Sequence, residues 1–443
     1  MLAVCTVALI GGFFLKQRCS DPESNQYRDL CYNDIQPLYG IRGVQEKTFP
    51  YVHGSLDETG ELVDGAIEYP VLTGVFMWVA GLFVDDYRAY LDATAILLTP
   101  FALVAAYYLA RLTGRRALLF AAAPSLVLYA FHNWDLLPVA AVVGGIWCWY
   151  RGRDVEAAVL FGVGAALKMY SALFILPLAL YRWKAGDRST TDPAAIAERK
   201  EVAATGESVA RRPLPAVAYD RKGALQVLGW GIGTFVVINL PFIISNFDGW
   251  VATYEFHRAR LPNFDSIWLI GLHPDGSSDF SPNVLNLLTT LLIVVSFGFA
   301  VVYGLRRSRG QMYPFLQVSG AALVAFLLWN KVHSPQYILW LLPFFVVLRI
   351  SIWWWAAYSI ADLAVYVGVF RWFYEFGFTG DLGAMTLPKN LMIGGVWLRA
   401  LILLALYFVF LRARPTVEPQ PTEPFVSHPP PRVESVRKQP ATT

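Results

Sequence analysis

The side chains of this sequence best suited to acid–base or anion chemistry stand at the ends of apolar runs. They are Asp34 in LCYNDIQPLYGIRG, His132 and Asp135 in FHNWDLLP, Lys168 in GAALKMYSALFILP, His257 and Arg258 in YEFHRARLP, and Lys331, His333 and Gln336 in WNKVHSPQYILWLLP. A carboxylate in a dry setting can take a proton from a hydroxyl, while ammonium, guanidinium and imidazole groups can neutralise a phosphate or a developing oxyanion. Asp34 differs from the other acidic residues of 16–69 because Cys31, Tyr32, Ile35 and Pro37 surround it, whereas Asp57 and Glu58 occupy a polar, Gly-flanked turn. Each candidate also has a purely structural reading. Lys168 could snorkel to headgroups, Asp135 could cap the helix that begins there, and His333, just before Ser334 and Pro335, could simply precede a helix start.

The elements that must position these groups are membrane helices. The chain has 443 residues, of which 56% are hydrophobic, 16% charged and 15% aromatic, too few polar groups to cover a water-soluble surface. Apolar runs that approach the length needed to cross about 30 Å of hydrocarbon occur at 1–15, 87–110, 117–131, 135–150, 154–169, 171–183, 223–245, 284–305, 313–331, 333–350, 352–373 and 391–411. The expected fold is an all-α polytopic membrane protein with about twelve transmembrane helices. Several runs are short, which suggests helices that stop early around a polar cavity. A further run, 70–84, is short as well.

Basic residues set the direction of the chain. Arg111, Arg115 and Arg116, then Arg151 and Arg153, then Arg306, Arg307 and Arg309 fall in three short loops, and nine more Lys and Arg lie between 182 and 222. The preference of such residues for the cytoplasm places these loops inside and the candidate site loops, including 246–283, on the exoplasmic face. Parity then makes 70–84 an interfacial or re-entrant helix within one large exoplasmic segment, 16–86. Lys16 and Arg18 lie on the face that basic residues normally avoid, and the first run is short, so helix 1 reads as curtailed by a start placed too late. The one-sided set of ionisable groups suggests a catalytic or binding cavity open to the outer face, rather than the midplane site of a pump.

The rest of the sequence adds less. A net charge of +3 indicates no nucleic-acid partner. Cys19 and Cys31 lie in the exoplasmic segment, where a disulfide is permitted, while Cys5 and Cys148 read as packing residues. No D-x-D motif and no CxxC pair occurs, so no metal ligands and no required cofactor are expected. Asp362 and Arg399, inside the last two helices, are expected to pair. Residues 182–222 read as a cytoplasmic linker, and 412–443, with three consecutive prolines, as a disordered cytoplasmic tail following a single membrane domain, 1–411.

Taken together, CYNDIQPLYGIRG with EYPVLTG, the AALKMYSALFILPL helix end, INLPFII followed by GWVATYEFHRAR, and NKVHSPQYILWLLP resemble glycosyltransferase family 87 over residues 20–350. These are actinobacterial membrane enzymes of the GT-C class that use polyprenyl-phosphate sugars. The resemblance implies a GT-C-like bundle whose large first exoplasmic loop contains juxtamembrane helices. It implies Asp34 as general base, His333 as a further active-site group and Lys168 as a contact to the donor phosphate. Arg258, His257, His132, Asp135, Lys331 and Gln336 complete the expected donor and substrate contacts. The implied activity is inverting transfer of a hexose, most simply mannose, from a polyprenyl-phosphate donor to a lipid or glycan acceptor at the outer face of the plasma membrane. A lipid-linked sugar transporter or flippase, and a non-catalytic scaffold acting through its Pro-rich tail, are the rival readings.

Overall fold

The computed structural model describes residues 1–21, 23–185, 219–275, 281–308 and 312–417. Among these residues the chain is mostly helical, with two short antiparallel strand pairs, Ser55–Leu56 with Leu62–Val63 and Leu348–Arg349 with Arg414–Pro415. Six helical stretches are long and apolar enough to cross a membrane: Leu2–Ser20, Tyr87–Ala121, Arg221–Ser245, Pro282–Arg307, Ile352–Thr379 and Leu387–Arg412. Leu225, Ile232 and Val237 on the third, and Leu287, Leu291 and Val294 on the fourth, are more than half exposed. Water would penalise such surfaces and lipid does not. The chain is an α-helical membrane protein.

The remaining apolar runs form shorter helices, packed toward the interior, and they are the elements that shape the site. α1 (Leu2–Gln17) is followed by α2 (Ile35–Ile41) and by α3 (Val71–Gly81), whose eleven residues rise only about 16 Å. The run at 70–84 thus forms a helix well short of the length that crosses a bilayer unaided. Next come α4 (Tyr87–Thr113), α5 (Leu118–Ala121) and α6 (Pro124–Tyr129); Pro124 occupies the first turn of α6 and divides the expected 117–131 helix in two. α7 (Leu136–Tyr150) and α8 (Asp154–Leu167) pack side by side, and α8 ends at Lys168, whose backbone is extended. A 3-10 segment, Met169–Phe174, leads into α9 (Ile175–Ala185).

Beyond the linker lie α10 (Arg221–Ser245), α11 (Phe247–Ala259), α12 (Pro282–Arg307), α13 (Phe315–Trp329), α14 (Ile338–Val347), α15 (Ile352–Thr379) and α16 (Leu387–Arg412). α13 and α14 are apolar and buried on nearly every side, as a central pair of helices must be. The two ends of the expected linker are helical, and Arg182 is paired with Asp220 across them at 2.8 Å. Its middle, 186–218, and the tail from 418 lie outside the described residues. The start of the expected tail is ordered, because Arg414–Pro415 pairs with Leu348–Arg349.

Segment 16–86 is welded to the bundle. Cys19 and Cys31 form a disulfide that ties the end of α1 to the approach to Asp34. On the other side, Thr253 donates to the Ile67 carbonyl at 2.7 Å and Asn246 to that of Gly54 at 2.9 Å. Gly249 makes this seam possible, since a Cβ there would lie 2.0 Å from the Tyr51 carbonyl oxygen. The expected Asp362–Arg399 pair is present at 3.5 Å; Tyr129 also donates to Asp362 at 2.8 Å, and Arg399 donates to the carbonyls of Asp265 and His333. Arg399→Leu should destabilise the protein by about 3–5 kcal/mol by stranding a buried carboxylate, and adding Asp362→Leu should recover part of that loss. Denaturation midpoints of the two variants in detergent measure this.

Candidate functional site

A cavity of about 590 Å³ lies between segment 16–86, the helix breaks and the stretch of α15 around Val369–Phe373. Ile41 and Leu261 line it while being 62% and 58% exposed, so the cavity reaches the protein surface through an apolar lip. One wall is aromatic, formed by Tyr27, Phe264, Phe370 and Phe373, with Tyr27 and Phe373 5.4 Å apart between ring centres. The opposite chemistry comes from Asp34, Asn133, Lys168 and Gln336.

Asp34 stands just before α2, its backbone N–H donating to the His132 carbonyl at 2.8 Å. Its Oδ1 accepts from the Tyr32 hydroxyl at 2.9 Å and its Oδ2 from Asn133 Nδ2 at 2.7 Å, with Gln336 Nε2 at 3.5 Å from the same oxygen. Burial pushes the Asp34 carboxyl above the ordinary carboxylate range, although the hydrogen bonds from Asn133 and Tyr32 and the charge of Lys168 pull the other way. The result is a carboxylate that is more basic than a solvated one.

Asn133 is the hub. Its Nδ2 also donates to the Tyr69 hydroxyl at 2.6 Å, and its Oδ1 accepts from Lys168 Nζ at 3.3 Å. The break after α8 brings Lys168 here, and the ammonium does not run out to the headgroups. It is buried 2.5 Å from Asp135 Oδ1 and within 5.5 Å of the ring centres of Tyr69, Tyr337 and Trp340. Asp135 stands at the start of α7 without capping it; the oxygen that binds Lys168 also accepts from Trp340 Nε1 at 2.6 Å. A fully buried carboxylate thus pairs with a lysine whose chain lines the cavity.

Of the residues singled out by the sequence, Asp34, His132, Lys168, His257 and Gln336 line this cavity. His257 is held by its Nε2–H, which donates to the Glu68 carbonyl at 2.7 Å. The other four are placed elsewhere. Asp135 lies behind Lys168. Arg258 is exposed and outside the lining, while Lys331 donates to the carbonyls of Arg258 and Arg260 at 3.1 and 2.6 Å and so fixes that turn. His333, expected to act directly, lies in an adjoining water-sized pocket with Arg399 and Asp265. Asp265 lines both spaces, and burial pushes its carboxyl up to about 6.

Sequence reasoning missed Asn133, Tyr69, Tyr32, Arg260 and Asp265. Asn133 was within reach, since an amide between His132 and Asp135 can bridge a carboxylate and an ammonium. Nothing local in the sequence distinguishes Asp265 or Arg260 from ordinary loop residues. Among the described residues no three His, Cys, Asp or Glu side chains converge as a metal site. No protein-family model matches the chain, and no curated protein matches it.

Infrared difference spectra of the native protein against Asp34→Asn should show Asp34 ionising above the ordinary carboxylate range. Asn133→Leu removes a hydrogen bond that favours the charged form, so it should move that titration further up. A downward move would contradict the hub role of Asn133.

Proposed function

We propose that this protein is an integral-membrane glycosyltransferase of the GT-C type, related to family 87, which moves a hexose from a polyprenyl-phosphate donor to a lipid or glycan acceptor. The observation that carries this reading is the half-buried Asp34 carboxylate in the wall of a surface-reaching cavity, linked through one amide to the Lys168 ammonium. A single base and a nearby cation are what an inverting displacement on a sugar phosphate requires. Two flanking carboxylates, the arrangement for glycoside hydrolysis, are not needed.

In this mechanism Asp34 takes the proton of the acceptor hydroxyl as that oxygen forms its bond to the anomeric carbon. The bond from the anomeric carbon to the phosphate oxygen breaks, and the polyprenyl phosphate leaves with the electron pair. Lys168, Arg260 and the imidazole of His132 meet the leaving phosphate; the lysine is a compact point charge and the guanidinium a broader donor. The aromatic wall offers flat apolar faces to a sugar ring, and the lip at Ile41 and Leu261 offers an exit for an isoprenoid chain. Asp135, Lys331 and His333 act through their neighbours, by fixing Lys168, the Arg258–Arg260 turn and the Arg399 network.

We further read the six long helices and the shorter apolar helices as twelve crossings in the GT-C plan, with α2 and α3 as juxtamembrane helices of the first exoplasmic loop. The cavity then opens at the outer face of the plasma membrane.

Purified protein given polyprenyl-phosphate-mannose and a mixed lipid acceptor should yield a glycosylated product. Asp34→Asn should slow transfer by about 10²- to 10⁴-fold while keeping donor binding. The native rate should rise with pH as Asp34 ionises and level off above that range, because the base works only in its charged form. Full activity in Asp34→Asn would remove the base assignment. Movement of donor across vesicles with no product would replace the enzyme reading by a transporter.

A further inference from the structure

Lys16 is wholly buried near the exoplasmic end of α1, where basic residues are unfavoured, and the mechanism above gives it no part. No carboxylate among the described residues pairs with it. Its Nζ has three neighbours at hydrogen-bond distance: the Tyr32 carbonyl at 2.7 Å, the Tyr366 hydroxyl at 3.1 Å and His132 Nδ1 at 3.2 Å. A carbonyl can only accept. The Tyr366 hydroxyl spends its single proton on the Leu30 carbonyl at 2.5 Å, so it presents a lone pair to the lysine. Two of the three N–H bonds of an ammonium are thereby taken, and the third is directed at Nδ1 of His132. A proton on that nitrogen would face the ammonium head-on.

The imidazole has little freedom to turn away. Tyr32 and Tyr129 meet it edge-on with ring centres at 5.5 and 5.8 Å, and Phe370 lies 6.1 Å off. Burial, helped by the charges of Lys16 and Lys168 and opposed by a hydrogen bond to the Tyr32 backbone, holds the His132 imidazole well below the usual histidine range and so neutral. A neutral imidazole whose Nδ1 accepts must carry its proton on Nε2, and this ring lines the cavity.

We propose that Lys16 is a positioning residue that holds Nδ1 of His132 as an acceptor, so that His132 presents its Nε2–H to an anionic oxygen of the substrate. The inference rests on the proposed transfer reaction only for the identity of that anion, a phosphate diester; the tautomer is a property of the protein alone. A buried lysine with only uncharged hydrogen-bond partners is costly, and a fixed hydrogen-bond donor in the cavity is what it provides.

Nitrogen-15 NMR of ring-labelled histidine in the full-length protein tests the tautomer without any assay, with the His132 signals assigned by their loss in His132→Gln. The expected spectrum has Nδ1 unprotonated and Nε2 protonated; a protonated Nδ1 would overturn the proposal. In the transfer assay, Lys16→Met should lower kcat about tenfold or more with the acceptor KM little changed, since one fixed donor is lost at the leaving oxygen. His132→Gln supplies an amide N–H without needing the lysine, so in that background Lys16→Met should cost less than about twofold. Equal losses in both backgrounds would reduce Lys16 to a packing role. Absence of transfer by the native protein would end the functional reading, and the spectrum would still decide whether Lys16 fixes His132.

Discussion

The site depends on keeping ions in a medium that does not solvate them. Lys168 is tolerable near the interior because Asp135 lies 2.5 Å away and aromatic rings surround the ammonium on three sides. That pair in turn fixes Asn133 between Lys168 and Asp34, and so fixes the Asp34 carboxylate. The connections run through one short loop, His132 to Asp135, which contributes an anion, an amide, an imidazole and the backbone carbonyl that receives the Asp34 N–H.

Broken helices follow from this requirement. A continuous α8 would carry Lys168 around a helical surface, whereas the extended residue and the 3-10 turn that follow turn it toward Asp135. Pro124 similarly ends α5 early and lets α6 stop at Tyr129, leaving room for the polar loop. Loose backbone of this kind is stable at membrane depth only where protein or a cavity satisfies it. The long helices stay outside, with apolar faces turned to lipid, and the short ones enclose the site.

Helix positions were legible in the sequence because the period and length of apolar runs are local properties. Asp34, Lys168 and Asp135 were found because a charged residue beside an apolar run is conspicuous in itself. Their relations were not legible. Asp135 was read as a cap or a ligand and is the counter-ion of Lys168, whose ammonium turns inward instead of snorkelling to the headgroups. Lys16 was noticed only as a topological irregularity, because its three partners come from residues 32, 132 and 366, which no local pattern connects.

Composition and apolar patterning by themselves determined that this chain belongs in lipid, where its helices run, and which few polar residues stand beside them. These properties depend on each residue and its immediate neighbours. The tertiary structure decided which of those residues meet: that Asp34, Asn133, Lys168 and Asp135 form one chain, that His333 and Arg258 lie off the main cavity, and that Lys16 reaches His132. Hydrogen bonds and ion pairs act over about 3–4 Å, so their partners are chosen by helix packing and by where helices break, over sequence separations that local pattern does not encode.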